Sequence, residues 1–114
     1  MSFFDSEVVR SEMAKISELQ EEIYGSVFKF SFMSKEEKIR HVDLLEDLLN
    51  TQQILYTRLS LSDDPEAQEM KKKICHSTQL MGLPDGIDIN VIFNNMTRML
   101  KMMKEQIDKT SSDR

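Results

Sequence analysis

The sequence predicts an all-α protein. Only 3 glycines and 2 prolines occur in 114 residues, too few to punctuate a turn-rich β fold. Apolar residues recur at spacings of three and four along most of the chain, which is the period of one helix face. Phe28, Phe30 and Phe32 interrupt this with a period of two. The expected architecture is a long antiparallel helical hairpin, residues 6 to 28 and 35 to 59, with two shorter helices, 65 to 81 and 89 to 108, packed on or beside it. All of it forms one domain spanning residues 1–114. Helix one is long relative to the core that the others can cover, so a homodimer burying the surplus stripe is expected.

Each element has its own local signal. Asp5 is placed to cap helix one, with Phe4 and Val9 at the spacing of a hydrophobic staple. Val9, Met13, Ile16, Gln20, Ile23 and Val27 then form a heptad-like seam flanked by Leu19. The Phe28, Phe30, Phe32 triplet reads as an extended interruption. Ser34 and Glu37 form an S-x-x-E capping box that opens helix two. Its seam is Val42, Leu45, Leu49, Gln52, Tyr56 and Leu59, thickened by Ile39, Leu44, Leu48 and Leu55. Gln20 and Gln52 hold analogous seam positions and are expected to meet across the pair.

The run SLSDDPE breaks the pattern at residues 60 to 66, because Pro65 drives Asp64 out of helical conformation and suits the first helical position. Helix three carries Ala67, Met70, Ile74, Ser77 and Met81 on one face and should stop at Gly82. Leu83 to Gly86 has turn chemistry, and Asp88 or Asn90 caps helix four. That helix carries Met96, Met99, Leu100, Met103 and Ile107 on one face and frays into a polar tail from Lys109.

Composition excludes several classes. Cys75 is the only cysteine, so an internal disulfide is impossible and a reducing cytoplasm is expected. The start MSFFDSEVVR has acids where a signal peptide would be basic. No run of about 18 apolar residues occurs, so no membrane contact is expected. The net charge of −5 is unevenly spread: residues 1 to 69 hold 15 acids and 7 bases (−8), and residues 70 to 114 hold 5 acids and 8 bases (+3). The acidic first half would steer the protein toward a basic patch on a partner.

Catalytic and metal signatures are missing. His41 and His76 lie outside any E-x-x-H pair, and Cys75 and His76 are adjacent, so on a helix they diverge by about 100° and cannot share a metal. No metal, cofactor or enzymatic role is expected, and Cys75 reads as a small packing thiol rather than a nucleophile. Three scattered glycines cannot build a phosphate loop. Two basic features are candidate phosphate or nucleic-acid contacts: Lys71, Lys72 and Lys73, and the row Arg98, Lys101 and Lys104. Neither has interleaved aromatics for base stacking. Met96, Met99, Met102 and Met103 either pack a core or form a partner surface, since thioethers serve both. Phe28, Phe30 and Phe32 either close the bundle end or anchor a partner.

The opening decapeptide, the spacing to helix two and the segment YTRLSLSDDPEA (Tyr56 to Ala67) resemble a family known as domain of unknown function 1825. Its small helical members occur in cyanobacteria and in the contractile-tailed phages that infect them. The likeness spans nearly the whole chain, and the MGLPDG turn, Met81 to Gly86, is closer to the phage-like branch. The resemblance implies an all-α fold and a cytoplasmic location, and brings no activity or catalytic residue. The expected function is therefore non-catalytic: a small adaptor or regulator that contacts another protein, such as a host factor during phage infection. The alternative is a nucleic-acid-associated accessory protein using the basic C-terminal helices.

Overall fold

The computed structural model describes residues 2 to 80, 82 and 88 to 112, and among them every regular element is helical, as expected. A 3-10 turn, Phe3–Asp5, precedes α1 (Glu7–Ser26), and a second, Val27–Phe32, leads into α2 (Lys35–Leu61). The chain continues through α3 (Pro65–Leu80) and α4 (Ile89–Ser112).

Several local expectations need correction. Asp5 does not cap α1: it closes the first 3-10 turn, where its carboxylate accepts from the Ser2 amide, and Ser6 takes the capping position. With the cap moved by one residue, Phe4 and Val9 lose the staple spacing. The phenylalanine triplet is not extended. It is wound into the second 3-10 turn, Val27–Phe32, and α1 ends at Ser26 rather than residue 28. Helix four is not one of two shorter helices either, because α4 has 24 residues against 20 in α1. It runs to Ser112 instead of fraying after residue 108. Lys35 at the start of α2 holds Asp108 at 2.8 Å, which ties down a turn that would otherwise be loose.

The caps at Ser34 and Asp88 are among those the sequence predicts, and a third, at Asp64, is not. Ser34 Oγ accepts from the Glu37 amide at 3.2 Å while Glu37 Oε1 accepts from the Ser34 amide at 3.4 Å, completing the capping box. Asp64 Oδ1 accepts from the Glu66 amide at 3.0 Å, so α3 begins with an aspartate cap followed by proline. Asp88, rather than Asn90, caps α4 by accepting from the Asn90 amide at 2.9 Å. Gly82 adopts φ 89°, left-handed backbone that only glycine enters freely, and its amide returns to the Gln79 carbonyl at 3.0 Å. The expected turn at Leu83 to Gly86, and Met81 on the α3 face, lie outside the described residues.

α2 is the central helix, with α1 and α4 packed along it and α3 folded over its C-terminal end. Ser26 meets His41 at 3.2 Å, Lys15 meets Asp47 at 3.1 Å and Glu12 meets Arg58 at 2.9 Å, so α1 and α2 run in opposite directions. The same holds for α4, where Lys104 reaches Asp43 at 2.6 Å and Asn94 meets Gln53 at 3.4 Å. Val9, Leu19 and Ile23 of α1 are buried against α2, whose Val42 is wholly enclosed. At the far end Tyr56, Leu59, Ala67 and Ile89 form a buried cluster under Phe3, Phe4, Ile74, Cys75 and Phe93. Among the described residues no helix is long and apolar enough to cross a membrane.

Candidate protein-contact site

α1 and α4 both lean on α2 and barely touch one another. A strip of α2 between them is left open, and the molecule is a slab of 56 × 32 × 20 Å rather than a closed bundle. Two adjoining hollows occupy the strip. One, about 350 Å³, lies among Met13 and Ile16 of α1, Gln52, Leu55 and Tyr56 of α2, and Met70, Ile74 and Phe93 beyond. The other, about 190 Å³, lies between Leu45, Leu48, Leu49 and Gln52 of α2 and Met96, Met99, Leu100 and Met103 of α4. Gln52 lines both, so the two hollows adjoin at its amide; together they are called the trough, with largely apolar walls that at one end include Phe3, Phe4 and Leu59. No hydrogen bond joins Gln52 to Gln20, so the expected amide pair does not form; Gln52 instead shares a hollow with Met13 and Ile16 of α1.

The helical period explains how α4 comes to border this trough. Ile89, Phe93, Leu100 and Ile107 point at α2 and are buried or half-buried. The apolar stripe continues round the helix beyond that contact. Met96, Met99, Met102 and Met103 are 46%, 63%, 61% and 40% exposed, so the stripe is wider than α2 can cover. The methionines therefore form a surface more than a core. The sequence points to them, but it assigns Met13, Leu45 and Gln52 only to internal seams and Leu48 to the face beside one. The broad apolar face of α2, with Leu44, Leu48 and Leu55 beside the main seam, was the available signal, because one neighbour cannot cover such an arc.

The phenylalanines separate. A 3-10 helix turns 120° per residue, so positions two apart splay onto different faces and positions three apart align. Phe30 turns inward and packs at a tilt on buried His41, ring centroids 5.5 Å apart, with the Lys38 ammonium 5.6 Å from its ring centroid. Phe28 and Phe32 stand in solvent at 91% and 89% exposure. The triplet thus includes both a bundle-end plug and two exposed rings.

The basic candidates also separate. Lys104 is held by Asp43 at 2.6 Å and Glu46 at 3.0 Å, and these carboxylates push its ammonium above the usual lysine range. Its charge is committed to α2, whereas Arg98 and Lys101 are exposed. Lys71 and Lys72 line a cleft of about 550 Å³ with Ser62, Asp63, Gln68 and His76, beside the C-terminal end of α2. Lys73 is exposed next to them. Asp63 and the carbonyl end of α2 oppose an anion in that cleft. The structure does not bring the lysine triplet and the α4 row into one such cleft.

Among the described residues no three His, Cys, Asp or Glu side chains are grouped as metal ligands. Cys75 is half-buried against the cluster around Tyr56. Burial also pushes the Tyr56 phenol above the ordinary tyrosine range.

The two segments that carry the family resemblance lie together in space. The Phe3 amide donates to the Asp64 carboxylate, and the Ser2 hydroxyl reaches Glu66. Helical periodicity requires neither contact. No curated protein and no solved structure matches the chain. The model of the family described as domain of unknown function (DUF1825) matches residues 1–107, an interval that holds both contact segments and the whole trough. With the match running through all four helices and the docked amino-terminal turn, the chain belongs to the DUF1825 family.

Proposed function

We propose that the protein is a non-catalytic interaction module whose trough between α1 and α4 accepts an apolar helix face from a protein partner. The observation that supports this reading is the unpartnered methionine edge of α4, Met99 and Met102 above all, bordering a trough floored by Leu45 and Leu48. Exposed apolar surface gathered in a groove is a mark of recognition, and flexible thioethers adapt to the shape that fills it. The pair α1 and α2 serves as the antiparallel hairpin that holds the groove floor, within a single domain spanning residues 1–114. From the family resemblance the proposed setting is the cytoplasm of a cyanobacterium, or of one infected by a phage encoding the protein, with a host factor as partner.

A photoreactive residue at position 99 tests this in a cyanobacterial lysate. A covalent protein adduct that disappears when Met102 and Met103 are changed to lysine is expected. Adducts of nucleic acid alone, or none, would overturn it. The second reading, nucleic-acid contact, draws on exposed Arg98, Lys101, Lys72 and Lys73, and it has lost Lys104. Phosphate contacts weaken steeply with added salt while an apolar groove responds little, so the salt dependence of any complex separates the two.

A further inference from the structure

Opposite the apolar face of α3 runs a polar one. At about 100° per residue, Gln68, Lys71, Lys72, Cys75, His76 and Gln79 fall within an arc of about 140°, and all of them line the cleft of about 550 Å³ beside the C-terminal end of α2. Lys73 falls outside that arc. The facing wall is the end of α2 and the linker after it, with Ser60, Ser62 and Asp63.

The polar groups of this cleft are unspent. Among the described residues the side chains of Asp63, Lys71, Lys72 and His76 make no ion pair and no hydrogen bond, although charges of both signs line one space. The Ser60 hydroxyl oxygen is enclosed near the Tyr56 phenol and closes no hydrogen bond of ordinary geometry. Leaving such a group unpaired is costly, and a turn about χ1 toward a polar ligand in the cleft would pair it.

The charges define what fits. Lys71 and Lys72 attract carboxylates, while Asp63 and the free carbonyls at the end of α2 attract an ammonium group. A simple anion meets the opposing charge of Asp63, and a simple cation meets two lysines. A zwitterion satisfies both signs. Two lysines against one aspartate leave an excess of positive charge, which favours a ligand with two carboxylates and one ammonium group. The volume of the cleft falls in the range of roughly 300 to 1,000 Å³ found for small-molecule sites.

We infer that the cleft between α3 and the end of α2 binds a small amino acid with two carboxylates, which Lys71 and Lys72 hold while Asp63 takes its ammonium group. This site goes beyond the protein-contact reading. Of the residues lining it only Leu59 also lines the trough, so a failed titration leaves that reading untouched.

Amide chemical shifts of the isotope-labelled full-length chain, titrated with L-glutamate at neutral pH and constant ionic strength, test it. Saturable shifts are expected at residues 59–63 and 68–79, with a Kd at or below about 1 mM. Glutarate lacks the ammonium group and L-glutamine lacks the second carboxylate, so each should bind about tenfold more weakly. Lys72→Gln should weaken glutamate binding by about the same factor. Asp63→Asn should abolish the preference for glutamate over glutarate, a change that unfolding cannot mimic while glutarate still binds. Asp63 and Lys72 are both exposed, so helical circular dichroism is expected to be unchanged in either variant. No saturable shift, shifts centred outside the cleft, or a glutarate or inorganic phosphate titration as tight as that of glutamate would overturn the inference.

Discussion

The Phe3 backbone amide donates to the carboxylate of Asp64, and the other oxygen of that carboxylate accepts from the Glu66 amide at 3.0 Å. One side chain thus caps α3 and fastens the amino-terminal turn onto it. Phe3 and Phe4 are thereby held over the Tyr56 cluster. Replacing Asp64 by alanine removes a helix cap and strands the Phe3 amide. A loss of about 1 to 2 kcal/mol is expected in denaturant titration. Asp64→Asn keeps an acceptor and should lose clearly less; equal losses would refute the dual role.

Val42 and Met99 contrast core with edge. Val42 is completely enclosed and Met99 is 63% exposed, although both are apolar positions on amphipathic helices. Val42→Ala should destabilise by about 2 kcal/mol through lost burial and a residual cavity. Met99→Ala should stay within about 0.5 kcal/mol when the monomer is measured. A Met99→Ala loss as large as that of Val42→Ala would mean that the methionine is core.

The aromatic triplet should divide in the same way. Phe30→Ala removes a half-buried ring from His41 and is expected to cost roughly 1 to 3 kcal/mol. Phe28→Ser and Phe32→Ser remove exposed rings and should leave the melting temperature nearly unchanged. If all three behaved alike in thermal melts, the 3-10 winding would be refuted.

Stability should fall on the alkaline side. Tyr56 and Lys104 both titrate higher in the folded chain than their ordinary values of 10.0 and 10.5, Tyr56 through burial and Lys104 through Asp43 and Glu46. A raised folded value means the native state holds its proton more tightly. The stabilisation is therefore complete below the ordinary value and is lost as pH rises through the folded one. Tyr56→Phe should remove part of the slope in thermal melts above pH 10.0. Asp108 has the opposite sign: Lys35 holds it below its ordinary 3.8, so its contribution is present above that pH and fades as pH falls through the lower folded value. Nuclear magnetic resonance of the last turns of α4 should show loosening only on strong acidification.

Much was legible because it is local. The Ser34 capping box, the stop at Gly82 and the periodic faces depend on residues within a turn or two of each other, and local sequence determines such features directly. The phenylalanine triplet misled because alternation is also compatible with a 3-10 turn, where only Phe30 finds a partner, on α2. Asp64 was seen as a residue displaced by proline; aspartate immediately before a first-turn proline was the missed sign of a cap.

By itself the sequence determined that four amphipathic helices form, and where most of them begin and end, since hydrogen bonds within a helix and its caps are short-range. Tertiary structure alone decided which part of each apolar face is covered. Whether Met99 lies in a core or on an edge depends on the angle at which α4 meets α2 and on how far α1 sits from α4. Those distances are set by packing between helices remote in the chain, and no local pattern encodes them.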